Sequence, residues 1–199
     1  MTRPKVDFWF EFASTYSYLS AMRLPAMAQA AGVAVRWRPF LLGPIFAAQG
    51  WDTSPFNIYP AKGNYMWRDM ARRCEASDLA LLKPNPFPQN SLLAARVALA
   101  ARDAPGALSF CQNVYLAQFA EGLDISDLSV ITACAASAKL PLDLIEQAQS
   151  DENKHALRLQ NEEAVRAGIF GAPSFVVGDE LFWGDDRLEE ALNWAVTHG

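Results

Sequence analysis

Apolar and polar side chains alternate from Lys5 to Phe12: Val6, Phe8, Phe10 and Phe12 fall on one side, Asp7, Trp9 and Glu11 on the other. A period of two, rich in aromatic residues, predicts a β-strand whose second face is partly buried through Trp9. The small polar break Ala13–Ser17 opens into helical composition from about Tyr16 to Ala31, with Ser14 or Thr15 as the N-cap. Gly32 stops that helix, and Val33–Arg38 alternates again as far as Pro39, predicting a second strand. Strand, helix and strand make a βαβ unit, hence a parallel pair with a right-handed crossover.

From Pro39 to Pro88 the pattern is broken by Gly and Pro, apart from helical composition over Lys62–Glu75. Lys83-Pro-Asn-Pro-Phe-Pro88 reads as a rigid extended connector. Helices are then predicted over Ser91–Arg102, Pro105–Glu121, Asp127–Ala138, Leu142–Gln149 and Asp151–Ala167. In the second of these, Leu108, Cys111, Tyr115 and Phe119 form one apolar stripe, which makes Cys111 a core residue. Ser174–Val177 and Leu181–Trp183 read as a hairpin turning through Gly178-Asp-Glu180. A last amphipathic helix follows, carrying Leu188, Ala191, Leu192, Ala195 and Val196 on one face.

The order is therefore βαβ, a helical block, then ββα. Sheet halves from the two ends of the chain must pair, with the block packed on one side. That is the order of the thioredoxin fold, an α/β class, here with a large all-helical insertion. The expected division is a thioredoxin-like domain from residues 1–40 and 168–199 and a helical insertion domain over 41–167.

Composition narrows the function. The 199 residues are 51% hydrophobic and 20% charged, enough for a packed core and unlike a disordered chain. A net charge of −5 without a basic tract argues against nucleic acid as a partner. No apolar run is long enough to span a membrane. Met-Thr-Arg-Pro-Lys leads into a strand carrying Asp7 and Glu11 where a signal peptide needs an uncharged apolar run, so a cytoplasmic protein is expected. Cys74, Cys111 and Cys134 are odd in number and far apart, which disfavours a disulfide framework or a metal site. The histidines are His155, on a charged helix face, and His198, next to the end, so a Ser/His/Asp hydrolase is not expected.

Two features have chemical potential. Ser14-Thr-Tyr-Ser17 stands at the strand–helix junction where thioredoxin-like redox proteins carry C-x-x-C, because a helix N-terminus stabilises a thiolate. Serine in both positions excludes redox exchange by this protein's own thiols there, but Ser14 can donate a hydrogen bond to another molecule's thiolate. Ala172-Pro173, entering a strand opposite that helix, fits a cis X-Pro turn that leaves the backbone of Ala172 able to pair with an extended peptide; in isolation Gly-Ala-Pro is an ordinary turn. Asp185 and Asp186 at the start of the last helix read first as caps, and equally as receivers of a peptide's α-ammonium group.

Phe8-Trp-Phe-Glu-Phe-Ala-Ser14-Thr-Tyr-Ser17-Tyr-Leu, Ser54-Pro-Phe-Asn57, Ala61-Lys62-Gly63 with Tyr65-Met-Trp67-Arg-Asp, Asn85-Pro-Phe-Pro-Gln-Asn90, Gly168-Ile-Phe-Gly-Ala-Pro173 and Trp183-Gly-Asp-Asp-Arg187 resemble, in order, the 2-hydroxychromene-2-carboxylate isomerases and kappa-class glutathione transferases. The resemblance spans nearly the whole chain. It implies a DsbA-like thioredoxin fold, a homodimer, and glutathione as cofactor, with a small aromatic substrate.

By the same resemblance Ser14 matches the catalytic serine, hydrogen-bonded to the glutathione sulfur. The Ala172 backbone pairs with the cysteinyl part of the tripeptide; Trp183, Gly184, Asp185 and Asp186 hold its γ-glutamyl end; Lys62 matches a basic site residue, with Asn57 nearby. Thr15 stands where the family often has Pro, Ala172 where Val is common, and the Asp185-Asp186 pair adds a negative charge. The implied activity is glutathione-dependent cis–trans isomerisation of 2-hydroxychromene-2-carboxylate or a related aromatic-degradation intermediate. A kappa-type transferase or peroxidase and a non-catalytic binding module are the alternatives. Tyr65, Trp67, Phe87 and Trp183 either form a wall for a flat substrate or pack at the seam between sheet and helices.

Overall fold

The computed structural model describes residues 3–199. Its centre is a mixed four-stranded sheet of β1 (Lys5–Phe10), β2 (Ala34–Pro39), β3 (Ser174–Val177) and β4 (Glu180–Trp183), in the order β2-β1-β3-β4. β1 runs parallel to β2, with Phe8 opposite Trp37, and antiparallel to β3, with Phe8 opposite Phe175. The strands from the two ends of the chain thus meet at β1, as the order of elements requires, and the fold is DsbA-like thioredoxin.

β1 stops at Phe10, two residues short of its alternating pattern. The backbone carbonyls of Glu11 and Phe12 leave the ladder because side chains from α6 (Ala107–Phe119) take them: Tyr115 Oη donates to Glu11 at 3.0 Å and Gln118 Nε2 to Phe12 at 2.9 Å. Phe12 nevertheless stays on the aromatic face, edge-on to Phe10 at 5.3 Å. That face carries the main core, built with Phe8, Phe175, Phe110 and Tyr115. The opposite face is more buried than a half-wet strand would be. Trp9 packs on Phe40, Ile45, Ala164 and Ile169, and the buried Arg38 guanidinium lies 4.2 Å over its ring.

α1 (Thr15–Ala31) starts and stops as its sequence dictates. Ser14 Oγ accepts the Ser17 N–H at its N-terminus, and Gly32, at φ 67°, turns back to the Ala28 and Gln29 carbonyls. The Gly/Pro-rich stretch hides two short helices, α2 (Leu42–Ala48) and α3 (Pro55–Ile58), ahead of α4 (Pro60–Ala76). Pro44, Pro55 and Pro60 all sit in first turns, where the missing N–H has no intrahelical partner to lose. The connector expected to be extended at Lys83–Pro88 is instead bent over 85–88, where the Asn85–Pro86 and Phe87–Pro88 bonds are cis, and it leads into α5 (Leu92–Ala100).

α7 (Leu128–Ser137), α8 (Asp143–Gln147) and α9 (Asp151–Arg166) complete the helical block within their expected spans. Cys111, Tyr115 and Phe119 are buried while Leu108 is at the surface, and Cys74, Cys111 and Cys134 are free buried thiols. The last helix, α10, is Leu188–His198. Asp185 and Asp186 do not cap it, contrary to the sequence expectation: they lie in a 3-10 turn, Asp185–Arg187, and α10 has no side-chain cap.

Candidate active site

The C-terminal end of β1, the first turn of α1 and the loop before β3 converge on one cavity of about 1200 Å³. Ser14 is half-buried at its edge. Its hydroxyl donates to the Ala172 carbonyl at 3.0 Å while accepting the Ser17 N–H at 3.2 Å, so the N-terminus of α1 is tied across to the loop carrying Pro173. The Ala172–Pro173 bond is cis, as its placement predicted. Ser17 is fully buried and does not line the cavity; of the two serines only Ser14 faces it.

Lys62, Ala172, Trp183, Gly184, Asp185 and Asp186 all line the same cavity. Asn57 does not. Its amide donates to Thr53 Oγ1 at 3.1 Å and to the Phe87 carbonyl at 2.9 Å, so it stitches the loop behind the wall. Of the four aromatic candidates Tyr65, Phe87 and Trp183 reach the cavity, whereas Trp67 packs edge-on against Phe87 at 4.9 Å. Trp183 is 53% exposed, lies on Phe170 at 4.8 Å and rides directly over Gly171, which has room for no side chain.

The two aspartates have different surroundings. Asp186 is exposed. Asp185 is 4% exposed and accepts from Ser20 Oγ at 2.8 Å, Arg73 Nη1 at 3.0 Å and Arg23 Nη2 at 3.5 Å. Burial pushes its carboxyl above the ordinary range, against the pull of Arg23, Ser20 and Arg73.

Arg73 passes the network on to Asp69, at 3.0 Å, and Asp69 in turn accepts the Tyr16 hydroxyl at 3.0 Å. Burial, followed by that bond to Asp69, drives the Tyr16 phenol well above its usual value, so it stays a donor. Tyr16, Asp69 and Arg73 line the cavity and were not among the sequence candidates. The available signal was the Asp69/Arg73 spacing of four on a helix, a pattern too common on solvated faces to single out.

Glu11 was also missed, having been assigned to the outer face of a strand. It is buried at the cavity floor, and burial raises its carboxyl pKa against hydrogen bonds from Ser91, Leu42, Ala13 and Phe12. Among the described residues no group of His, Cys, Asp and Glu is arranged to hold a metal, and no helix is long and apolar enough to cross a membrane.

The arrangement offers one hydroxyl proton at a helix N-terminus, a peptide-edge carbonyl opposite it, and charges of both signs around a large, mostly apolar chamber. Known proteins are similar to the chain over nearly its whole length. 2-Hydroxychromene-2-carboxylate isomerase of Sphingobium xenophagum is 31% identical over 186 residues, covering 92% of this chain and 94% of its own. Glutathione S-transferase kappa 1 of Caenorhabditis elegans is 24% identical over 200 residues, covering 93% and 88%. A solved structure of 2-hydroxychromene-2-carboxylate isomerase superposes with a TM-score of 0.84 at 26% identity, covering 95% of this chain and 94% of that one. The sequence model of the DSBA-like thioredoxin domain matches residues 5–193, and the chain belongs to that family.

Proposed function

We propose that the protein is a glutathione-dependent cis–trans isomerase of 2-hydroxychromene-2-carboxylate or a related intermediate of aromatic degradation. The observation that carries this reading is Ser14, its hydroxyl held at the N-terminus of α1 and turned toward the Ala172–Pro173 loop at a cavity edge. Similarity over nearly the whole chain to an isomerase of that name supports it.

The residues present suit a tripeptide with two carboxylates, one ammonium group and a thiol. Ala172 presents a backbone carbonyl for an extended chain. Lys62 and Arg73 are cations for the carboxylates, and exposed Asp186 suits the ammonium group. Asp185 is committed to Ser20, Arg23 and Arg73, so in this reading it orients Arg73 rather than touching the ligand. Trp183 and Gly184 shape the wall beside them. A chamber of about 1200 Å³ exceeds the ~300–1,000 Å³ of ordinary ligand pockets, leaving room for a flat acid beside the tripeptide. Tyr65, Phe87 and Trp183 are its aromatic wall.

Glutathione bound there supplies a thiolate nucleophile for reversible addition to the conjugated double bond of the ring-opened keto acid. The chain's own contribution is electrostatic. The N-terminus of α1 and the Ser14 O–H favour negative charge at one point, which lowers the pKa of a thiol held there. Ser14 gives up its bond to Ala172 to do so, and an N–H from the extended ligand keeps that carbonyl paired.

The test is an absorbance time course with 2-hydroxychromene-2-carboxylate, with and without glutathione. Fast approach to the cis–trans equilibrium only with glutathione is expected; no acceleration in protein that binds glutathione overturns the isomerase reading. The kappa-class relative favours a second reading, glutathione transfer, which conjugation to 1-chloro-2,4-dinitrobenzene would reveal. Glutathione binding with neither activity would point to a non-catalytic module. A homodimer in the cytoplasm completes the proposal, and light scattering reports the first part.

A further inference from the structure

Glu11 stands one residue beyond β1, between the turn that carries Ser14 and the corner that starts α2. Its Oε1 accepts the Ala13 N–H at 3.2 Å and its Oε2 the Leu42 N–H at 3.0 Å. The Ser91 hydroxyl, at the head of α5, and the Phe12 N–H lie close enough to favour its ionised form. Ser91 makes no capping bond to its own helix, so its hydroxyl is free for this use. The backbone carbonyl of Glu11 accepts the Ser14 N–H at 3.0 Å. One residue therefore grips the Ser14 turn twice and ties it to two other walls of the cavity.

Every partner of the carboxyl is a neutral donor. Among the described residues no salt bridge reaches it, although it is 5% exposed. A buried anion without a cation is a costly tie between loops. An acceptor-only group is nevertheless what converging donors require; a glutamine there sets its NH₂ against N–H groups. Leu42 and Phe46 of α2 line the same cavity and add apolar side chains to its wall.

We infer that Glu11 is a positioning residue for the reaction: it fixes Ser14 relative to the α2 wall, and so aligns the thiol site with the second substrate. This rests on the isomerase reading. A misplacement of about 1 Å between reacting groups can cost about a hundredfold in rate, whereas tripeptide binding depends on other elements.

The experiment compares wild type with Glu11→Gln, each corrected for folded fraction by circular dichroism, in kcat, KM for the aromatic acid and Kd for glutathione. The expected result is a fall in kcat of roughly 10- to 100-fold with the glutathione Kd within about threefold. Unchanged kcat per folded molecule, or glutathione affinity lost in proportion to kcat, overturns the inference. Should Glu11→Gln fail to fold, Ser91→Ala removes one donor without touching charge. It is expected to lower kcat about two- to fivefold at constant glutathione Kd, a fraction of the alignment effect; unchanged kcat overturns the inference. Wild type inactive with glutathione sinks the isomerase reading and this role with it, while active wild type with unaffected variants sinks the role alone.

Discussion

Ser14 Oγ donates to the carbonyl oxygen of Ala172 at 3.0 Å, closing a contact between residues 158 positions apart. The same oxygen accepts the Ser17 N–H, so one hydroxyl both caps α1 and joins it to the loop before β3. A serine has a single proton to give, and among the described residues no other side chain donates to the Ala172 carbonyl. Ser14→Ala should therefore lower turnover by about tenfold to a thousandfold, the range for one positioned donor. Loss of the cap should cost about 1 kcal/mol of stability. Steady-state kinetics beside thermal melts separates the two effects; full activity would remove Ser14 from catalysis.

Gly171 carries the Trp183 indole where a side chain would be. A Cβ there runs into Nε1 and its neighbouring ring atoms, and Trp183 is exposed enough to swing away. Gly171→Ala should cost only about 1 kcal/mol, at the low end of overpacking. It should also shift the tryptophan emission and weaken glutathione binding. Fluorescence titration checks both, and an unshifted spectrum with native affinity would detach Trp183 from the ligand.

Gly184 is constrained in another way. Its φ is 113°, and an added Cβ would sit 2.5 Å from Asp186 Oδ1. Gly184→Ala should destabilise by roughly 1–3 kcal/mol through backbone strain and displace the carboxylate proposed to receive the ammonium group. Melting temperature and glutathione Kd should therefore fall and rise together; a change in one alone separates the strain from the site.

Much of this was legible in the sequence because each signal was local. The alternation of Val6, Phe8 and Phe10, the Ser14 cap, Gly32 and the Ala172-Pro173 placement each report on a few neighbouring residues, and the strand order follows from connection rules. What escaped depends on pairing across the chain. Asp185 looked like a helix cap because nothing nearby in sequence shows Ser20, Arg23 or Arg73 converging on it. Glu11 looked like the polar side of a strand because its partners Leu42 and Ser91 are distant in sequence. α2 and α3 were lost to their prolines, which are disfavoured in a helix interior but fit the first turn they occupy.

Asp185→Asn tests the convergence directly. It leaves Arg73 and Arg23 facing an amide, with Ser20 still able to donate. Both arginines are about a third exposed, so water screens much of the loss, and roughly 1–3 kcal/mol is expected. The larger consequence should be a mobile Arg73 and a weaker grip on the tripeptide carboxylate. Isothermal titration with glutathione and with an analogue amidated at its carboxylates distinguishes them: the variant should lose affinity for the first and not for the second.

Glu11 provides a pH test independent of activity. Burial holds its folded pKa above that of an unfolded glutamate, so the folded chain takes up this proton at the higher pH. The resulting stabilisation is fully present below the unfolded pKa and disappears as pH rises through the folded one. Above its folded pKa the carboxylate is charged in both states, and burying it costs free energy. Glu11→Gln should lose roughly 1–3 kcal/mol from opposed donors, partly offset by relief of that charge burial. The offset shrinks as the wild-type group protonates. The stability advantage of wild type over Glu11→Gln should therefore widen as pH falls through the raised folded pKa toward the ordinary carboxylate range, while groups common to both proteins cancel. Urea unfolding of the pair at several pH values measures it. A constant difference would mean that the carboxyl titrates normally and a narrowing one that its folded pKa is depressed; in either case the buried tie between Ser14 and α2 would lose its physical basis.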